Sequence, residues 1–297
     1  MIRIARFATV LHTSQLNRYY SNDMEYRRFE DKDHVARYAK ARFSYPQELK
    51  EAVLEFLAGS KMSPPFGQLV DVGCGSGQST PLFVDQFQTL IGVDPSPAQI
   101  DEAKKRNQHQ NITYQVKDAY SLPVKDSSTD LVTSAMAAHW FDLPKFYEEV
   151  RRILKPGGVV AIWGYKYPDI EYEGHPEASE RASEVIKQVY AKEWIENGWR
   201  PQIATVCDRH YADLPVCFTG SEKRFLTRLD LRRTLDEYLL LVSTHSGFQK
   251  IKEAHPDWDY MNELKQRLLD ALGNPNSAGE TQLIIKNPIF MFMSRKS

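Results

Sequence analysis

The sequence predicts a doubly wound α/β sheet of seven strands, preceded by an N-terminal cap helix and interrupted by a helical lid insertion. Three observations predict it. An apolar run with an acid inside it, Leu69-Val70-Asp71-Val72, turns through Gly73, Gly75 and Gly77 and restarts in helical style at Thr80-Pro81-Leu82-Phe83-Val84. Thr80 suits an N-cap and Pro81 the first helical position. A second short buried run, Leu90-Ile91-Gly92-Val93-Asp94, also ends in an acid, with a helix expected over residues 97–107 behind Ser96 as its cap. The series continues through a third strand with an acid at its end, Tyr114-Gln115-Val116-Lys117-Asp118-Ala119, and a fourth, Asp130-Leu131-Val132-Thr133-Ser134. A turn at Leu154-Lys155-Pro156-Gly157-Gly158 then leads into a fifth.

The glycine loop carries the first chemical information. Glycine permits positive φ, and without a Cβ it lets a ligand approach the backbone. At the end of a parallel strand such a loop also aims free N–H groups at a ligand. The dinucleotide fingerprint is G-x-G-x-x-G, but Gln78 holds its third glycine position, and Gly77 falls one place early. Asp94 follows Gly77 by 17 residues, near the ~20 expected of an acid that accepts the two hydroxyls of a ribose. These residues alone leave open a tight turn, a dinucleotide site, or a nucleotide loop of another kind.

The pattern D-x-G-x-G-x-G over residues 71–77, with the strand order and spacing that follow it, resembles motif I and the core of the class I S-adenosylmethionine-dependent methyltransferases. That resemblance implies a Rossmann-like sheet with S-adenosyl-L-methionine as cofactor. It implies that Gly73, Gly75 and Gly77 cradle the methionine part, that Asp94 binds the ribose, and that Asp118 with Ala119 reads the adenine, beside Ala135 at the end of the fourth strand. Asp71 either organises the loop or meets the cofactor's amino group. Upstream, Arg37-Tyr38-Ala39-Lys40-Ala41-Arg42-Phe43-Ser44-Tyr45-Pro46 resembles the segment that closes over the methionine end in small-molecule enzymes akin to trans-aconitate methyltransferase, with Phe43 where that group has proline. Tyr38 and Arg42 would supply a hydroxyl and a guanidinium for a carboxylate, or belong to a solvated helix.

After the fourth strand stands Met136-Ala137-Ala138-His139-Trp140-Phe141-Asp142. It lacks the Asn/Asp-Pro-Pro-Tyr/Phe of enzymes that methylate base or glutamine nitrogens, and with Ala161-Ile162-Trp163-Gly164-Tyr165 it is similar to the small-molecule group. The resemblance therefore implies methyl transfer to an oxygen, a carboxylate first, of a small organic metabolite. Transfer from a sulfonium is an in-line displacement, and holding the reactants in line can provide ~7–11 kcal/mol. A carboxylate acceptor needs no base, whereas a hydroxyl or ammonium does, and His139 is then the candidate; the other reading makes His139 a cofactor contact. Trp140, Trp163 and Tyr165 are expected either to wall the substrate or to pack the core. A small-molecule N- or C-methyltransferase and a nucleotide-dependent oxidoreductase are the alternatives.

Composition narrows the classes further. The 297 residues carry 38 basic and 39 acidic side chains, so no basic footprint for a nucleic-acid backbone exists. Cys74, Cys207 and Cys217 are too few and wrongly spaced for a zinc site or disulfide framework, so no metal is expected. No apolar run approaches the ~18 residues of a membrane span. The expected partner is a small-molecule acceptor, with no nucleic acid and no membrane.

Organisation along the chain follows. Residues 1–22 hold Arg3, Arg6 and Arg18 and no acid, which suits a mitochondrial transit peptide or a disordered extension, with Met24 as a second start. The expected location is cytoplasmic, or the mitochondrial matrix if the leader is real. Residues 23–66 form the cap, with Leu49, Val53, Leu54 and Leu57 on one helical face. Residues 67–165 form the cofactor-binding core. Residues 166–220 form the lid, helical over 177–198 and without strand pattern, with Arg200 and Arg209 as carboxylate clamps or solvated charges. Residues 221–297 complete the sheet: a sixth strand at 222–228, helices over 231–248 and 258–272, and a last strand over 281–294 with Pro288 at a bulge or edge. Ser243 and His245 depart from the Arg-Thr-Trp-Ser-Ala-Tyr segment of the trans-aconitate group, which removes its arginine and tryptophan.

Overall fold

The computed structural model describes residues 44–59, 63–198, 209–212, 214–275 and 277–297. Tyr38, Arg42, Arg200, Cys207 and the leader proposed over 1–22 lie outside these residues.

Helix α1 (Gln47–Ala58) buries Leu49, Ala52, Val53 and Leu57. The apolar stripe thus runs through Ala52, and Leu54 is only partly covered. Strands β1 (Phe66–Val72), β2 (Phe87–Asp94), β3 (Ile112–Val116), β4 (Thr129–Ala135) and β5 (Leu154–Tyr165) pair in parallel. Alternate residues face opposite sides of a sheet, and the burial follows that rule. Leu69, Leu90, Leu131 and Val159 pack on one face with α1 and with α2 (Pro97–Arg106). Val70, Ile91, Val132 and Val160 pack on the other with Phe146, Val150 and Ile153 of α3 (Leu143–Ile153). Ser96 caps α2 by accepting the Gln99 N–H, and Asp142 caps α3 by accepting the Lys145 N–H.

The sheet order is β3-β2-β1-β4-β5-β8, where β8 (Gln282–Arg295) is antiparallel to β5 and β7 (Lys223–Thr234) pairs with its other edge. A three-residue strand, β6 (Asp169–Glu171), continues the β5 edge of β8 and holds the sheet to seven strands across. Pro288 falls in the gap between β5 and β6, where its carbonyl accepts the Lys166 N–H. After β6 come α4 (Pro176–Gln188), a π-helical turn (Val189–Glu193) and the short α5 (Trp194–Glu196). Following β7 come α6 (Leu235–Val242), α7 (Ser246–Ala254) and α8 (Tyr260–Ala271).

Several expectations are corrected. The helix after the glycine loop is a single 3-10 turn, Thr80–Phe83, and Thr80 is not its cap, because the Thr80 hydroxyl donates to Asp71 instead. The helix expected over 231–248 is strand up to Thr234, whose capping box with Glu237 starts α6, and the chain breaks again at Ser243 before α7. β6 was invisible because three residues carry no period. β3 stops at Val116, two residues short of its acid. Among the described residues no helix is long and apolar enough to cross a membrane.

Candidate active site

The carboxyl ends of the parallel strands border a cavity of about 340 Å³, within the ~300–1,000 Å³ typical of small-molecule sites. It has two halves. The first is lined by Gly73, Cys74 and Gly75 after β1, Asp94 and Pro95 after β2, Gln99 of α2, and Lys117, Asp118, Ala119 and Tyr120 after β3. The second is lined by Tyr45, Ala135, Met136, Ala137, Trp140, Phe141 and Tyr165. Among the described residues no cluster of metal-ligating side chains exists.

Backbone hydrogen bonds build the first half. The Gly73 and Cys74 N–H groups donate to the Val93 carbonyl at 2.8 and 3.0 Å, and the Gly75 N–H donates to Asp94 Oδ2 at 3.0 Å. The Ser96 N–H donates to Asp94 Oδ1 at 2.9 Å. These loop N–H groups therefore hold the protein together and are not aimed at a ligand as the sequence suggests. A loop whose donors are so engaged, followed by one 3-10 turn, is no cradle for a pyrophosphate. Asp94 keeps further acceptor capacity on both oxygens. Burial outweighs its two backbone hydrogen bonds and raises its carboxyl to about 6. Asp118 lines the cavity, and its Oδ1 accepts the Tyr120 N–H at 2.9 Å, so it caps its turn and faces the site together.

The glycines divide the work. Gly75 has φ 54°, lines the cavity, and an added Cβ would find its nearest neighbour 3.7 Å away at Gln99, so its open side faces the cavity. A Cβ on Gly73 would overlap that of Ala137, which ties this glycine to close packing of the two halves. Gly77 is corrected: it does not line the cavity, and a Cβ there would meet the Tyr114 hydroxyl at 2.7 Å.

Of the two readings of Asp71, the structure supports the organiser of the loop and not a contact to the cofactor. Asp71 is fully buried beneath the loop and accepts hydroxyls from Ser79 (2.7 Å), Thr80 (2.7 Å) and Thr133 (2.9 Å). Burial pushes its carboxyl up, against those three donors. It organises the loop and does not reach the cavity.

In the second half, Trp140 and Tyr165 line the cavity, whereas Trp163 does not. Trp163 is fully buried and supports Tyr45 edge-on, ring centroids 5.5 Å apart. His139 is half-buried outside the lining, with Nδ1 2.7 Å from the Tyr211 hydroxyl. Burial lowers its pKa to about 3. A base so weak removes few protons at neutral pH, so the expectation of a catalytic His139 is corrected. Arg209 lies exposed at the surface.

Sequence reasoning missed Tyr45, Gln99, Met136 and Tyr211. Tyr45 stood near the end of the quoted segment over residues 37–46, without a role of its own. Met136 carries no signal, although it has φ 52° and its thioether accepts the Tyr165 N–H at 3.1 Å.

Comparison with known proteins agrees with this geometry. Residues 70–162 match a methyltransferase domain family. A Dictyostelium discoideum protein assigned to the methyltransferases is 31% identical over 229 residues, covering 76% of this chain and 81% of that protein. A Saccharomyces cerevisiae protein assigned as an S-adenosylmethionine-dependent methyltransferase is 33% identical over 148 residues, 48% of each chain. A solved structure of a type II methyltransferase assignment from Anaeromyxobacter dehalogenans has a TM-score of 0.66 at 28% identity, covering 86% of this chain and 97% of the other.

The chain belongs to the class I S-adenosylmethionine-dependent methyltransferases. It is an enzyme, and its cofactor is S-adenosyl-L-methionine.

Proposed function

We propose that the enzyme methylates a carboxylate oxygen of a small organic acid. The observation that carries this reading is the make-up of the second half of the cavity: aliphatic, thioether, indole and phenol groups from Ala135, Met136, Ala137, Trp140, Phe141, Tyr45 and Tyr165. Such groups exclude water and donate hydrogen bonds, but they take no proton at neutral pH. An acceptor seated there brings its own negative charge, and a carboxylate does.

Bound S-adenosylmethionine supplies a methyl group on a positively charged sulfur. In this reading Asp94 accepts hydrogen bonds from the ribose, Asp118 and Ala119 face the adenine, and the open side of Gly75 admits the chain toward the sulfur. Trp140, Met136 and Tyr165 hold the acceptor in line. An anion and a sulfonium neutralise each other in transfer, so a dry wall favours the step. The oxidoreductase alternative falls with the family assignment and with the loop, whose donors are engaged within the protein.

The test is transfer of radiolabelled methyl from S-adenosylmethionine to matched acids, alcohols and amines. The expected product is a base-labile methyl ester from an acid. Label found only in base-stable ethers, amines or C-methyl products overturns the carboxylate reading.

A further inference from the structure

One buried contact joins the cavity wall to the end of the 166–220 insertion. Tyr211 is fully buried, and its hydroxyl lies 2.7 Å from His139 Nδ1. His210 and Tyr211 both adopt left-handed backbone, with φ 54° and 55°. Residues other than glycine seldom do so, and two in succession persist only where the surroundings enforce them.

Those surroundings are specific. The Tyr211 ring meets Phe290 edge-on with centroids 4.8 Å apart, and the His210 ring lies 5.2 Å from the same phenylalanine. Downstream, the Tyr147 hydroxyl donates to the Pro215 carbonyl at 2.7 Å and Arg151 donates to the Cys217 carbonyl at 3.1 Å, pinning the segment to α3. Gly164 on β5 leaves room for the Phe290 ring and the phenol packed on it, since a Cβ there would stand 2.9 Å from the ring and 3.1 Å from the Tyr211 oxygen.

The contact leads to the cavity in one step. His139 sits on the one-turn helix Ala138–Trp140, its ring 5.2 Å from that of Trp140, which lines the cavity. Rotation of the imidazole would take Nδ1 away from its hydroxyl partner in a half-buried place, where an unmade hydrogen bond is unfavourable. The phenol thus fixes the imidazole, and the imidazole limits the indole.

We infer that Tyr211 is a positioning residue for methyl transfer: through His139 it fixes the Trp140 indole as a wall of the acceptor half, so that acceptor affinity depends on how the 209–212 turn is seated. The inference rests on reading that half as the acceptor site, and its first readout requires no acceptor.

The experiment uses the full chain with Tyr211→Phe, and His139→Leu to break the same contact from the other side should the first variant fail to fold. Trp140 emission is isolated by difference against Trp140→Phe, and its quenching by acrylamide is measured. S-adenosylhomocysteine binding is followed by calorimetry. Tyr211→Phe is expected to raise Trp140 quenching about twofold while S-adenosylhomocysteine affinity stays within about twofold. For an acid that passes the labelled-methyl assay, KM is expected to rise about fivefold with kcat changed less, as for loss of one ordinary hydrogen bond. Unchanged Trp140 quenching, or an equal fall in S-adenosylhomocysteine affinity, overturns the inference. If no acid is methylated, the carboxylate reading fails alone, and the quenching result still decides the role of Tyr211.

Discussion

The two halves of the cavity are built by different means. The adenosyl half is a set of short-range backbone arrangements: Gly73, Cys74 and Gly75 bond to the next strand's Val93 and Asp94, and Asp94 in turn bonds Ser96. The acceptor half is assembled from side chains far apart in sequence, with Tyr45, Trp140 and Tyr165 lining one wall and Tyr211 bonded to His139 beside Trp140. A half made of backbone and two strand-end carboxylates binds one ligand in one way. A half made of side chains on separate segments can be changed one residue at a time without disturbing the cofactor.

The largest expected effect breaks the adenosyl half. Asp94→Ala removes the acceptor for two backbone N–H groups and for the ribose. Hydrogen bonds to a charged group contribute ~1.5–3 kcal/mol each, so S-adenosylhomocysteine affinity should fall about 100-fold or more. Trp140→Ala should leave that affinity within about threefold and depress methyl transfer instead. Calorimetry on both variants, paired with turnover, checks this. Equal loss of cofactor binding in both would mean that the halves are one unit.

Next in size is the response to pH, where Asp94 in the adenosyl half and His139 behind the acceptor half should act in opposite directions. In the proposed reading Asp94 accepts the ribose hydroxyls as a carboxylate, and burial raises its pKa to about 6. Cofactor affinity should therefore fall about tenfold per pH unit as pH drops below 6. For folding without ligand the sign is reversed. The folded state holds the Asp94 proton more tightly than the unfolded chain, so in the window between the ordinary carboxylate value and about 6 this group adds stability as pH falls. His139, lowered to about 3, works against it: the unfolded chain binds its proton first, so stability from this group is lost as pH falls below 6.5. Melting temperature against pH for Asp94→Asn and His139→Gln, each subtracted from wild type, should give slopes of opposite sign. Slopes of the same sign would contradict one of the two assignments.

The same contrast explains what the sequence reveals. Gly73, Gly75, Asp94 and Asp118 all lie within a few residues of the turn they serve, so strand spacing together with the family resemblance points to them. Asp71 sits in the motif, but its partners Ser79, Thr80 and Thr133 are hydroxyls that spacing does not single out, and its burial below the loop is a tertiary fact. Thr80 reads as a helix cap because a threonine before proline favours one, and the competing carboxylate of Asp71 is nine residues away in sequence. Trp163, near the end of β5, and Trp140, shortly after β4, look alike in sequence as candidate wall aromatics. Only the fold turns one into the core and the other toward the cavity. Tyr211 is out of reach of any local pattern, because its partner is 72 residues distant.

The smallest expected effect refines the acceptor half alone. Met136 follows β4 in a left-handed conformation, and its sulfur accepts the Tyr165 N–H. Both residues line the cavity. A thioether is a weak acceptor, so Met136→Leu keeps the volume and removes about 1 kcal/mol or less. The expected result is a few-fold loss in kcat/KM for the acceptor, a fall in melting temperature of a few degrees at most, and no change in S-adenosylhomocysteine affinity. A glycine at the same position sharpens the point. Met136→Gly relieves the positive φ but deletes the side chain from the wall, so it should cost more in transfer than Met136→Leu. If both variants transfer methyl at the wild-type rate, the left-handed turn at Met136 serves only the close approach of Ala137 to Gly73, and the thioether contact has no part in seating the acceptor.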